Sequence, residues 1–271
     1  MGNLFYTRPD QVRENTIVLE GAEAGHATRV LRKRAGEAIS ITDGAGTIFN
    51  CVIQTISGGS LTAEIVSQET RQREEPYLAV AIGHLRKRDR LEFAVEKVTE
   101  LGAAEILIFK GDHSEKGGVR EDRLEKTIES AMKQSLRSFL PASALYTSLE
   151  ELFDEKSAEG FTLIVADEEL ERGAAEGVGK RSPEGRDERA PRTEGEAEQP
   201  SIGALAKPPA SDGECSQEKY LLVIGPEGGF SESERGLFTR YSAIRYSLGE
   251  KRLRSETAAI ILTDRFGNRN F

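Results

Sequence analysis

The 271-residue chain has no tryptophan, two cysteines and three histidines. Because Cys51 and Cys215 lie far apart, they form neither a disulfide framework nor the paired spacing of a zinc site. His26, His84 and His113 share no metal-ligand spacing either. We therefore expect a protein without a bound metal.

Long apolar runs are also missing. No run approaches the roughly 20 residues that a membrane-spanning helix needs, and the first residues contain no apolar signal core. Hydrophobic residues make up 37% and charged residues 31% of the chain, as in a globular protein of one large or two modest domains. These features predict a cytoplasmic protein without a membrane partner.

The formal net charge of −9 argues weakly against a nucleic-acid partner, because phosphate binding normally needs a basic surface. The segment from 168 to 218 carries 13 acidic and 7 basic residues, a net charge of −6, however, and basic clusters remain elsewhere. Solvated surface charge is the alternative interpretation of these clusters. The candidates for RNA contact are Arg8, Arg29, Arg32, Lys33, Arg34, Lys87 and Arg90.

Two aromatic residues near the N-terminus, Phe5 and Tyr6, permit two interpretations. Together with Arg8 they could stack on or pair with unpaired RNA bases. An N-terminal strand that packs on the first domain explains them at least equally well.

Residues 1–73 consist mainly of short predicted strands separated by turn residues, at 17–19, 38–42, 47–53 and 61–66. One helical insertion is predicted at 25–32. This pattern is typical of a small β-barrel, a module that often binds nucleic acid.

From residue 77 the predicted elements alternate between strand and helix, which implies an α/β domain over 77–271 with a mainly parallel sheet covered on both faces. Ser148 and Ser231 each begin a capping-box pattern. Residues 171–216 are rich in Gly, Pro, Glu and Arg and are predicted to be a disordered insertion. The predicted strands are 77–82, 105–109, 161–166, 220–224 and 244–248, and the predicted helices include 91–101 and 123–137.

Two glycine-bearing turns follow neighbouring strands of this domain. Ile-Gly-Pro-Glu-Gly-Gly-Phe occupies 224–230, and Leu-Gly-Glu-Lys-Arg-Leu-Arg-Ser-Glu-Thr-Ala occupies 248–258. Because open α/β sheets bind ligands at the carboxyl ends of their strands, these turns are expected to enclose one ligand slot. Arg252 and Arg254 suit a nucleotide or another polyanionic ligand, although ion pairs with acidic residues of the same turns would also explain them. No dinucleotide-binding glycine pattern is present.

These two motifs resemble those of the RsmE family of SPOUT-class methyltransferases, which modify uridine N3 in small-subunit (16S) ribosomal RNA. Further matches are Lys-Val-Thr-Glu-Leu-Gly at 97–102, Lys-Gln-Ser-Leu-Arg at 133–137 and His-Ala-Thr-Arg-Val-Leu-Arg at 26–32. The resemblance covers nearly the whole chain except the insertion.

The resemblance implies a PUA-like barrel, a SPOUT α/β domain with a trefoil knot, and a homodimer that acts on ribosomal RNA or the small ribosomal subunit. It also implies that S-adenosyl-L-methionine binds among the knot loops. Carried over by position, the cofactor-binding residues would be Glu168, Ile224, Gly225, Gly228, Leu248, Gly249, Leu253 and Arg254.

The implied reaction is an attack of uridine N3 on the sulfonium methyl group, for which N3 must lose its proton. The site must then stabilise negative charge on the uracil oxygens, a role for which Arg254 is the candidate. Glu227 or Glu100 could accept the proton or orient groups, and the sequence does not choose between them. The alternatives are a catalytically silent RNA-binding assembly factor and a SPOUT methyltransferase acting on another RNA position.

Overall fold

The structure is a computed structural model that describes residues 3–114, 117–167 and 218–267. The insertion predicted at 171–216 lies outside these residues. No helix in the described part of the chain combines the length and apolar character that crossing a membrane requires.

The N-terminal domain is a five-stranded sheet in the order β1-β3-β4-β5-β2, in which β1 pairs in parallel with β3 and the other neighbours are antiparallel. All four strands predicted for this domain are present, and the last two are longer than predicted. Strand β1 was not among the predicted strands. The strands are β1 (Leu4–Tyr6), β2 (Thr16–Leu19), β3 (Ala38–Thr42), β4 (Thr47–Ser57) and β5 (Ser60–Thr70).

The two edge strands of this sheet share one core. Phe5 of β1 is only 1% exposed and belongs to the same buried cluster as Ile17 and Leu19 of β2. Its ring also lies 5.9 Å from that of His26, measured between centroids. Phe5 is therefore a core residue of an N-terminal strand and is not available to stack on RNA.

The C-terminal domain is a six-stranded, all-parallel sheet in the order β11-β9-β10-β6-β7-β8. This arrangement confirms the predicted α/β class. Its strands are β6 (Tyr77–Gly83), β7 (Glu105–Phe109), β8 (Ala142–Tyr146), β9 (Thr162–Ala166), β10 (Lys219–Ile224) and β11 (Ile244–Tyr246). Its helices are α2 (Arg88–Glu100), α3 (Glu121–Gln134), α4 (Leu149–Ala158), α5 (Glu232–Arg240) and α6 (Ser255–Gly267), after α1 (Gly21–Gly25) in the first domain.

Helices cover both faces of this sheet, so the central strands are buried on both sides. Val80 and Ile82 pack in one core with residues of α2, α3 and α6, whereas Ala79 and Ala81 face the other core, with Phe153 of α4. Burial on both faces explains why the central strands appear in the sequence as continuous apolar runs.

Two of the family motifs meet at the amino edge of this sheet. The buried guanidinium of Arg137 donates hydrogen bonds to the carbonyl oxygens of Thr99, Gly102 and Ala103, at distances of 2.7 to 3.1 Å. Thr99 lies in the last turn of α2, where helix carbonyls lack donors within the helix, and Gly102 and Ala103 follow in the loop to β7. Arg137 therefore caps α2, which gives the 97–102 and 133–137 motifs a shared structural role.

The N-terminal domain is docked on the loop that contains this arginine. The backbone nitrogen of Gly46 donates to the Ser138 carbonyl at 3.0 Å, and that of Leu140 donates to the Gly44 carbonyl at 2.9 Å. Glu23 of α1 forms an ion pair with Lys133 of α3. Backbone hydrogen bonds and an ion pair therefore hold the first domain against the second.

Candidate active site

A cavity of about 320 Å³ opens at the carboxyl edge of the parallel sheet, where β9, β10 and β11 end. Its walls come from the two glycine-bearing turns, as expected for one shared ligand slot. Of the proposed cofactor residues, Gly228 does not line the cavity although Gly229 does, and Glu168 lies outside the described residues. The proposed residues that line the cavity are Ile224, Gly225, Leu248, Gly249, Leu253 and Arg254.

Glycine is needed in these turns for two different reasons. Gly229 and Gly249 have φ angles of 71° and 116°, in the region that side chains disfavour. At Gly225, by contrast, an added Cβ would lie 3.1 Å from the ring of Phe230. The glycines therefore keep the turns compact and let the backbone form the cavity wall.

Helix α5 follows the first turn and begins with the predicted capping box. The Ser231 hydroxyl accepts a hydrogen bond from the Glu234 nitrogen at 3.1 Å, and the Glu234 carboxylate accepts one from the Ser231 nitrogen at 2.8 Å. The helix N-terminus, with its partial positive charge, therefore lies directly after the glycine turn.

A loop from another part of the chain holds this capping box. Asp112, after β7, accepts hydrogen bonds from the hydroxyls of Ser231 and Ser233 at 2.5 and 2.9 Å. These two hydrogen bonds lower the pKa of the Asp112 carboxyl. The adjacent His113 places its Nδ1 atom 3.1 Å from the Gly228 carbonyl oxygen. No local sequence pattern predicts this contact, whereas the capping box is visible as a local motif.

Asp167 is a buried residue in the lining of the cavity. It directly precedes Glu168, the residue proposed from the sequence for cofactor binding. It directly follows β9, and its side chain is 1% exposed. Its carboxylate accepts hydrogen bonds from Arg235 of α5 at 2.9 Å and from Arg245 of β11 at 2.8 Å. Asp167 therefore ties three elements together beneath the cavity. The sequence feature that could have indicated Asp167 is the position of an acidic residue directly after a buried strand.

Arg254 is exposed at the cavity, just before α6, and its carbonyl oxygen accepts the hydrogen bond of the Ala258 nitrogen at 2.8 Å. Within the described ranges, no carboxylate lies within ion-pair distance of its guanidinium. The alternative of an ion pair with Glu227 or Glu256 therefore does not account for Arg254.

Glu227 also lines the cavity, and residues just before α2 and in its first turn contact the Glu227 carboxylate. It accepts a hydrogen bond from the Arg86 nitrogen at 3.2 Å and lies 4.0 Å from Arg90. Arg90 lies 3.7 Å from Glu256 as well. Arg90 thus bridges the carboxylates of both turns.

Glu100, the other proton-acceptor candidate, is not brought to this cavity. It ends α2 and forms an ion pair of 2.9 Å with Lys97. Because α2 returns from the carboxyl edge to the amino edge of the sheet, its last residue lies at the opposite end from Glu227. Of the two candidates, only Glu227 is placed at the site.

The remaining cations proposed for RNA contact lie apart from the cavity lining. Lys33 donates a hydrogen bond to the Ala38 carbonyl oxygen at 2.9 Å, and Lys87 directly precedes α2. In the described residues there is no group of three or more His, Cys, Asp or Glu side chains placed to hold a metal ion. Of the cations proposed for RNA contact, those with exposed side chains are Arg8, Arg29, Arg32, Arg34 and Lys87.

Family models for RNA methyltransferases match both domains of this chain. A family model described as an RNA methyltransferase domain matches residues 73–185 and 192–266. The chain belongs to this family. A second model, an RNA methyltransferase PUA domain, matches residues 19–66. Together with the relatives and solved structures described next, these models confirm the RsmE-type resemblance and the predicted combination of a PUA-like domain with a SPOUT-type fold.

Curated relatives share both domains. Ribosomal RNA small subunit methyltransferase E of Mycobacterium tuberculosis is 28% identical over 270 residues, which cover 95% of this chain and 88% of the relative. The Bacillus subtilis protein of the same name is 26% identical over 251 residues, with coverages of 90% and 87%.

Solved structures show the same fold over nearly the full length of the chain. A probable rRNA-methyltransferase from Porphyromonas gingivalis is 28% identical, has a TM-score of 0.69, and is matched over 96% of this chain and 95% of its own. Ribosomal RNA small subunit methyltransferase E from Neisseria gonorrhoeae, bound to S-adenosyl methionine, is 23% identical with a TM-score of 0.70 and coverages of 97% and 95%.

Proposed function

We propose that this protein transfers a methyl group from S-adenosyl-L-methionine to N3 of a uridine in small-subunit ribosomal RNA. The observation that carries the proposal is the cavity that the two glycine-bearing turns enclose together, with Arg254 in its lining. The names of the full-length relatives support the substrate class.

The cavity suits the proposed cofactor. Its volume of about 320 Å³ lies within the usual range for small-molecule pockets. Apolar side chains of Ile224, Leu248 and Leu253 would contact the adenosine, and the backbone at Gly225 and Gly249 would allow close approach. Gly228 and Glu168 remain part of the proposed set. When bound, the cofactor supplies a methyl group on a positively charged sulfur.

The residues of this chain would then act on the uridine. The guanidinium of Arg254 would stabilise the negative charge that the uracil oxygens gain when N3 loses its proton. Glu227 is the proposed proton acceptor, because it lines the cavity, its side chain is 33% exposed, and its nearest contacts are long, at 3.2 Å to the Arg86 backbone nitrogen and 4.0 Å to Arg90. Asp167 is less suited to that role, since two arginines already occupy its carboxylate.

We also propose the finer features that the family resemblance implies: a trefoil knot, a homodimer and action in the cytoplasm on the small ribosomal subunit. The path of the chain supports the knot. Strand β11 lies at the edge of the sheet, next to β9. After β11 the chain returns across the site, and α6 then packs in one core with strands β6 and β10.

The test uses purified protein, isotopically methyl-labelled cofactor and small subunits from a strain that lacks the gene. Nuclease digestion followed by mass spectrometry should reveal labelled 3-methyluridine. Label on a different nucleoside would replace the N3 proposal with another RNA position. The absence of detectable cofactor binding by calorimetry would favour the silent assembly factor.

A further inference from the structure

A second cleft, of about 370 Å³, lies next to the cofactor cavity. It is formed by the segment that joins β6 to α2, by the first turns of α2, and by the start of α3. None of the roles proposed above uses it.

The cleft and the cofactor cavity share a wall. Strands β6 and β10 are neighbours in the sheet, so the segments that follow them lie side by side. Gly83, which ends β6, lies so close to Pro226 of the glycine turn that an added Cβ would come within 2.5 Å of the proline ring. Arg86, in the lining of the cleft, donates its backbone N–H to Glu227, in the lining of the cavity, at 3.2 Å.

The floor of the cleft is apolar. Leu85, Leu91 and Leu124 contribute to it and are at most 5% exposed, and the partly buried Val119 lies beside them. The face of a nucleobase is apolar enough to pack against aliphatic side chains of this kind.

The cleft is also rich in arginine, with Arg86, Arg88, Arg120 and Arg123 among its lining residues. This concentration is notable in a chain of net charge −9, and guanidinium groups match phosphate oxygens by charge and by forked hydrogen bonding. An anionic ligand with an aromatic part fits both the floor and the arginines.

Glu92 is the only carboxylate among the described residues that line the cleft. Its Oε1 atom lies 3.1 Å from Arg123 Nε and 3.4 Å from Arg88 Nε. This carboxylate thus draws two arginines to one side of the cleft. The same oxygen is buried, and these ion pairs are its contacts among the described residues.

We propose that this cleft binds the nucleotide that adjoins the methylated uridine in the substrate RNA. Its base lies on the leucine floor, and its phosphate contacts the arginines. The inference rests on the proposed function and extends it, because contacts to a flanking nucleotide select the sequence context in which a base is modified.

The first test compares Arg120→Gln and Arg123→Gln with the control Arg240→Gln. Each variant removes one positive charge, and Arg240 pairs with Glu150 outside the cleft. Loss of a charged hydrogen bond costs about 1.5 kcal/mol or more, so the KM for RNA should rise about tenfold in both cleft variants. The dissociation constant for S-adenosylmethionine should not change. A KM shift no larger than that of the control would overturn the proposal.

The second test places photoreactive 4-thiouridine next to the methylated nucleotide. Cross-links should map to residues 84–92 or 117–127, and cross-links found only elsewhere would overturn the proposal. If the wild type transfers no methyl group, the proposed function fails. Equilibrium binding of the same RNA by the three variants then still tests the cleft. Tight binding of free uridine monophosphate that the RNA does not displace would instead identify a free-nucleotide site.

Discussion

The buried carboxylate of Glu234 accepts a hydrogen bond of 3.1 Å from the backbone nitrogen of Asp112, which lies 122 residues earlier in the chain. Its other oxygen accepts the hydrogen bond of the Ser231 nitrogen. One side chain thus joins the loop after β7 to the first turn of α5. Because the glycine turn of the cavity ends at that helix, Glu234 and Asp112 fix a segment that its own glycines leave flexible.

Replacing Glu234 by Gln should weaken cofactor binding about tenfold, because an amide has one acceptor oxygen for two backbone donors and leaves a buried donor unsatisfied. Calorimetric titration with S-adenosylmethionine measures this change, and thermal unfolding should show a lower midpoint. Glu232→Gln is the matched control, since Glu232 is exposed in the same helical turn. Cofactor affinity equal to that of the wild type would contradict a positioning role for Glu234.

Asp112 should stabilise the fold in a pH-dependent manner. The hydrogen bonds from Ser231 and Ser233 lower its pKa in the folded protein, so the unfolded chain binds more protons at acid pH. The stabilisation is complete above the ordinary Asp pKa of about 3.9 and is lost as the pH falls through the lower folded value.

Urea unfolding of the wild type and Asp112→Asn at several pH values measures this effect. The wild type should be more stable at pH 7, and the difference should shrink below about pH 4. Ser233→Ala, which removes one of the two hydroxyl donors and keeps the carboxyl, should show a smaller pH dependence than the wild type. A difference for Asp112→Asn that is constant down to pH 2 would rule out titration of this carboxyl as the cause.

Arg254→Ala should lower turnover by about 10²- to 10³-fold, as expected when one group that stabilises developing negative charge is removed. Stability should change by no more than about 0.5 kcal/mol, because the side chain is exposed. Single-turnover methylation and thermal unfolding separate the two effects, with Arg240→Ala as the control. A collapse of the unfolding midpoint with unchanged turnover per folded molecule would refute the assignment.

Cys51 should be unreactive in the folded protein. It is 2% exposed, and burial raises the pKa of its thiol to about 11. In a Cys215→Ser background, iodoacetamide at pH 8 should therefore label Cys51 only after unfolding. Mass spectrometry of the native and denatured samples gives the extent of labelling. Rapid labelling of the native sample would mean that the barrel core opens readily.

The parallel sheet could be predicted from the sequence because its central strands are apolar along their whole length. The edge strand β8 was not predicted, since it is largely exposed and lacks such a run. The capping box at Ser231 was also visible locally, because its two partners lie three residues apart. Its contact with Asp112 was not, because the interacting residues are far apart in the chain.

The sequence by itself determined the fold class, the family and the two turns that line the cavity. Local patterns of apolar residues, glycines and charges indicate each of these features. Only the tertiary structure decided that Glu227 rather than Glu100 lies at the cavity, that Arg90 bridges two carboxylates, and that Asp167 binds two arginines. These relationships join residues from separate elements. They depend on how strands and helices pack in space, which no short stretch of sequence encodes.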